Sequence, residues 1–178
     1  RTLAEMRRFV GNGAEMQMRR ALGADADEET VAKALALYKP YYAAHCQIKT
    51  KPYAGVLELM AALKAEGFRL AVVSNKPDRT TRTLAARFFP ELDGAMGQRE
   101  GIASKPAPDM VRAALDQLHA APEETLYVGD SEVDVATARN AGLDMIGVAW
   151  GFRGRAALEA AGAPLVADTP EQLLDMLQ

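Results

Sequence analysis

The segment YVGDSEVDVATARNAG, Tyr127 to Gly142, places two carboxylates, Asp130 and Asp134, after a short apolar run that breaks at Gly129. A second apolar run, LAVVSNKP, ends in Ser74, Asn75 and Lys76, and the segment ASKPAPD sets Lys105 ahead of Pro108. A hydroxyl, an ammonium group and a carboxylate pair at one place suit a phosphate and a divalent cation. Hard carboxylate oxygens bind magnesium, which keeps several waters and bridges to phosphate oxygens. A lysine facing those oxygens offsets charge developing during phosphoryl transfer. Each cluster also has a plain structural reading. Ser131 with Asp134 three residues on fits a capping box, and acids in a first helical turn suit the helix dipole. Ser74 and Asn75 suit a turn, and isolated lysines are mostly solvated. It is the ordered set of three that points to a shared site.

For these groups to meet, the elements carrying them must end at one edge. From about Thr50 onward, short β-branched runs alternate with amphipathic stretches: VLELMAALKAEG reads as a helix, RLAVVSN as a strand and Asp78 to Phe88 as a helix. GAMG reads as a brief strand, Pro108 to Leu118 as a helix, TLYVG as a strand, Val133 to Ala141 as a helix and MIGVAW as a strand. Ala156 to Ala161 reads as a helix, PLVA as a last strand and Pro170 to Leu177 as a closing helix. Such alternation implies an α/β fold, a parallel Rossmann-like sheet with helices on both faces. In such sheets ligands bind outside the carboxyl ends of the strands, which is where Ser74 and Asp130 fall. Residues 1 to about 50 differ: apolar sets at helical spacing (Met6, Phe9, Val10; Met16, Met18, Leu22; Val31, Leu35, Leu37, Tyr38) predict helices only. Gly11, Asn12 and Gly13 break the first two, Asp27 or Asp25 caps the third, and Pro40 should kink or end it. The expected organisation is a helical module over 1–50 and an α/β core over 51–178.

The bulk properties narrow the function. The chain has 178 residues, 49% hydrophobic and 25% charged, with a net charge of -3. That acidic balance gives no reason to expect nucleic acid or an anionic membrane as a partner. No apolar run approaches the ~20 residues that span a bilayer. The single cysteine, Cys46, excludes an internal disulfide and fits a reducing compartment, so the cytoplasm is the expected location. His45 and His119 stand apart with no ligand-like spacing. A serine esterase built on the Gly129–Asp130–Ser131 block would need a downstream histidine, and none follows Ser131.

The order VVSNK, then SKP, then VGDSEVD resembles the second to fourth motifs of the haloacid dehalogenase superfamily of phosphohydrolases. KPYAGVLELMAALKAEGFRLAVVSNKP, GDSEVDVATARNAG, FVGNGAEMQMRRAL and VAWGF are similar to bacterial phosphoglycolate phosphatases, so the likeness covers nearly the whole chain. The resemblance implies a magnesium-dependent phosphatase acting on a small phosphorylated acid, 2-phosphoglycolate foremost, as a monomer or homodimer. By it, Ser74 and the Asn75 backbone hold the phosphoryl group, Lys105 neutralises charge, Asp130 binds magnesium, and Asp134 supports the metal directly or through water. The helical module corresponds to the family's cap, with Gly11, Asn12 and Gly13 as a substrate-facing loop; alternatively, these residues only separate two helices. Caps exclude water and select substrates.

One part of the family pattern is missing. Family members attack phosphorus with an aspartate in a DxDGT-type motif on a first, central strand. Here Asp25 and Asp27 are the nearest match, and no apolar strand precedes them. The resemblance places that strand ahead of Arg1, between the strands ending at Ser74 and Asp130. The expectation is therefore a shortened chain, inactive alone, whose sheet lacks its middle strand. A non-catalytic, partner-binding module of the same fold is the alternative.

Overall fold

The computed structural model describes residues 2–178; Arg1, where the helical reading begins, lies outside them. Helix α1 (Leu3–Phe9) opens on a capping box in which Thr2 and Glu5 satisfy each other's amides. It is followed by α2 (Gly13–Leu22) and α3 (Glu28–His45), the latter capped by Asp27, whose carboxylate accepts the Thr30 amide at 2.7 Å. Pro40 does not end α3. Proline removes the N–H that would meet the Ala36 carbonyl, but Ala36 is exposed, so water can satisfy that oxygen. Stacked side chains also span the proline: the Tyr38 and Tyr42 rings lie 5.5 Å apart, one turn from each other.

Beyond the module come α4 (Val56–Ala65), β1 (Ala71–Pro77), α5 (Asp78–Phe88), β2 (Gly94–Gln98), α6 (Asp109–Leu118) and β3 (Leu126–Gly129). They are followed by α7 (Glu132–Ala141), β4 (Asp144–Val148), α8 (Arg155–Ala160), β5 (Leu165–Ala167) and α9 (Pro170–Asp175). All strand pairs are parallel, as the alternating pattern requires. Alternation along β4 shows why both faces are covered. Met145 packs with Tyr127, Val166 and residues of α6, α7 and α8, while Ile146 and Val148 pack with Leu59, Leu63 and Leu173 of α4 and α9.

The sheet is in two parts, β1–β2 and β3–β4–β5. β1 and β3 are thus both open-edged among the described residues, and they are the two strands that carry Ser74 and Asp130 at their ends. The helical module has little core of its own: among the described residues before Gly55, only Val31 and Cys46 are buried hydrophobic residues. Leu3, Met6, Leu37, Tyr41 and Ile48 are exposed instead.

Candidate active site

β1 delivers Ser74 and Asn75, and the α7 N-terminus delivers Ser131 and Asp134. Asp130 sits in the turn between β3 and α7. The loop before α6 brings in Lys105. All six line one cavity of about 860 Å³, together with Gly11, Gly13, Lys76 and Tyr53. Asn12 does not line it and makes no side-chain cap to α2, so the loop meets the cavity through its two glycines. Both have positive φ, +125° at Gly11 and +84° at Gly13, where other residues would be strained.

The Lys105–Asp134 pair is the centre of the site. Lys105 Nζ lies 2.7 Å from Asp134 Oδ1, with both side chains nearly excluded from solvent (12% and 8% exposed). Tyr127 on β3 donates its hydroxyl to the same oxygen at 3.1 Å and accepts from Lys105 Nζ at 3.1 Å. The other oxygen of Asp134 receives the Ser131 hydroxyl at 2.6 Å and the Asp130 amide at 3.2 Å. Burial opposes the charge on Asp134, but Lys105 and these hydrogen bonds overcome it and hold the carboxyl below its ordinary range. Burial likewise opposes the charge on Lys105, yet Tyr127 and Asp134 raise its pKa overall. Burial pushes the Tyr127 phenol up to about 12, so it remains a neutral donor. With two of its three donor positions used, Lys105 has one left for a ligand.

The two acids therefore differ. Asp134 accepts four hydrogen bonds from Lys105, Tyr127, Ser131 and the Asp130 backbone. Asp130 accepts one, from the Phe152 amide to Oδ2 at 2.8 Å, and no described residue donates to its Oδ1. Gly129 and Gly151 make this packing feasible, because a Cβ at either would collide with the Asp134 or Asp130 side chain. Ser131 also caps α7 by accepting the Asp134 amide at 3.4 Å, as the capping reading expects. Among the described residues, no three His, Cys, Asp or Glu side chains gather as a metal cage.

Ser74 Oγ accepts the Lys76 amide at 3.2 Å, which leaves its hydroxyl proton free to donate. The Asn75 side chain is fully committed elsewhere. It donates to Gly11 O at 3.1 Å and to Lys105 O at 2.9 Å, and it accepts the Lys105 amide at 2.8 Å. This buried amide thus fixes Lys105 and the glycine loop against β1, a task the sequence did not disclose. Lys76 reaches the same cavity; it stays exposed, but the protein crowding around it and repulsion from Lys105 lower its pKa, partly offset by Asp130. Of the nearby arginines, Arg19 is taken up by Glu15 and Glu28. Phe152 is half exposed on the cavity rim, while Trp150 packs against the core.

The sequence reading missed Tyr127, Glu132 and Arg153. Tyr127 had a signal: it lies two residues before Gly129 on a strand whose alternate side chains share a face. Arg153 had none, because Glu132 lies 21 positions away and its two carbonyl partners more than 140.

Comparison with known proteins bears on the family and the fold. The sequence pattern of the haloacid dehalogenase-like hydrolase family matches residues 2–148. A phosphoglycolate phosphatase of Rhodospirillum rubrum is 35% identical over 184 residues, covering 98% of this chain and 76% of that protein. One from Pseudomonas putida is 31% identical over 186 residues, covering 99% of this chain and 64% of the relative, so the chain spans less than two thirds of its length. A crystal structure of a Lactobacillus delbrueckii subsp. bulgaricus protein superimposes with a TM-score of 0.93 at 38% identity, over 99% of this chain and 83% of that one. The split parallel sheet, the paired acids after β3 and the family pattern running through both make this chain a member of the haloacid dehalogenase-like hydrolase family.

Proposed function

We propose that this chain is the cap and most of the core of a magnesium-dependent phosphomonoester hydrolase acting on a small phosphorylated acid, with 2-phosphoglycolate as the leading substrate. One observation carries the reading: Ser74, Lys105 and Asp130 each present an uncommitted polar group to one cavity. Ser74 donates its hydroxyl and Lys105 its remaining N–H to phosphoryl oxygens, positioning the group and offsetting its charge. The residues fit magnesium: Asp130, whose Oδ1 accepts no hydrogen bond from a described residue, would hold the ion. When bound, the ion would supply further neutralisation of phosphoryl charge. Asp134, saturated by donors, holds Lys105 and the Asp130 backbone in place. Residues 1–50 act as the cap and 51–178 as the core, with Gly11 and Gly13 facing the substrate.

None of these groups is placed to attack phosphorus. The open edges of β1 and β3 are where a strand bearing a nucleophilic aspartate would join both sheet halves. This feature favours a second reading, a phosphate-binding module without turnover. To decide, 2-phosphoglycolate hydrolysis with magnesium is measured for the 178 residues alone and with a strand bearing a DxDGT-type motif added. Loss of an essential group from such a unit typically costs several orders of magnitude. The enzyme reading expects negligible turnover alone and substantial turnover with the strand. Phosphate binding with no turnover in either form selects the module.

A further inference from the structure

The last four carbonyls at the C-terminus of α1 have no partners inside that helix, the usual fate of such groups. Two arginines supply the donors. Arg20, from α2, reaches Arg8 O and Phe9 O, both at 3.3 Å. Arg153, from the loop after β4, reaches Arg7 O at 2.9 Å and Val10 O at 2.8 Å. Arg153 also pairs with Glu132, Nε to Oε2 at 3.0 Å, and Glu132 in turn feels the charge of Arg20. A core acid therefore sits near both guanidinium groups, and the two arginines between them cap one helix end.

We propose that Arg153 is a positioning residue that straps the helical module to the core and fixes the Gly11–Gly13 loop over the cavity. The module buries little apolar surface of its own, so its docking depends on polar contacts made at this seam. The strap is anchored at both ends. The amide of its neighbour Phe152 bonds Asp130, and Glu132 belongs to the same α7 turn as Asp134. On the far side, Val10 precedes Gly11, whose carbonyl is held by Asn75. Only 13% of the Arg153 side chain is exposed, so solvent screens its bonds less than those of a surface pair.

Hydrogen exchange on the 178-residue chain tests this without reference to turnover. Arg153→Ala should speed exchange of the amides at residues 16–18, whose acceptor carbonyls are those of the loop and first turn at 12–14, about tenfold or more, since bonds from a charged donor are individually strong. Amides of Asp144–Val148 should be unchanged. Arg153→Lys should fall between, because one ammonium cannot span two carbonyls and a carboxylate as a planar fork does. Glu132→Gln, which keeps shape but removes the charge, should give a smaller increase confined to the same residues. Unchanged exchange at 16–18 in Arg153→Ala would overturn the proposal. So would a uniform rise across the chain in both Arg153→Lys and Glu132→Gln, which would make the arginine a general stabiliser.

Discussion

Asp130 and Asp134 stand four residues apart, yet their surroundings divide the work between them. A carboxylate that already accepts four hydrogen bonds gives up one to take a cation, whereas Asp130 has an oxygen to spare. Titrating magnesium calorimetrically in the presence of inorganic phosphate should show binding abolished in Asp130→Asn. In Asp134→Asn it should persist, though weakened; equal loss in both would reverse the assignment. Lys105 offers a second test. Lys105→Met keeps bulk but strands a buried carboxylate, a change that costs about 3–5 kcal/mol in comparable pairs, readable as a lower urea midpoint. The pH dependence follows from the pKa directions. Asp134 is depressed on folding, so its contribution is present above the unfolded value near ~3.9 and is lost as pH falls through the lower folded one. Lys105 is raised, so its contribution is present below ~10.4 and is lost as pH climbs through the higher folded value. Asp134→Asn should flatten the acid limb of a stability–pH profile; an unchanged limb would show that other carboxylates set it.

Among the elements, stability is concentrated in the core. Leu158 on α8 is fully buried and packs closely over Gly147 of β4, where the missing side chain leaves room for it. Leu158→Ala should therefore cost about 2–5 kcal/mol. Leu37→Ala on α3, at a position 76% exposed, should stay within about 0.5 kcal/mol. Chemical denaturation of both variants would check the contrast, and comparable losses would mean that the outer face of α3 is covered in solution. α3 also shows how element-level rules yield to context. A proline that sequence rules make a stop is carried through because the carbonyl it orphans faces water.

The divided sheet governs the behaviour of the whole molecule. Parallel strands are normally covered on both faces and open edges are a liability, yet among the described residues β1 and β3 each have a partner on only one edge. The 178 residues alone should therefore melt at low temperature. A strand offered between β1 and β3 should raise the melting temperature by several degrees or more, since each kilocalorie shifts a domain of this size by about 2–4 °C. Scanning calorimetry with and without the added strand measures this. An unchanged melting temperature, with binding of the strand verified, would show that the two open edges already find adequate partners.

The sequence by itself determined the alternation of strands and helices, the helical character of the first 50 residues, the placement of Ser74, Asp130 and Asp134 near strand ends, and that of Lys105 in the loop before α6. These are local matters: periodicity, turn residues and motif order are all written within short windows. Residue type alone could not separate the two aspartates, because the difference between them is set by which donors converge on each in space. Nor could it assign Asn75 to fixing the glycine loop, or Arg153 to capping a helix more than 140 positions earlier. Those roles depend on desolvation and on partners distant in the chain, and only the tertiary structure brings such partners within hydrogen-bonding distance.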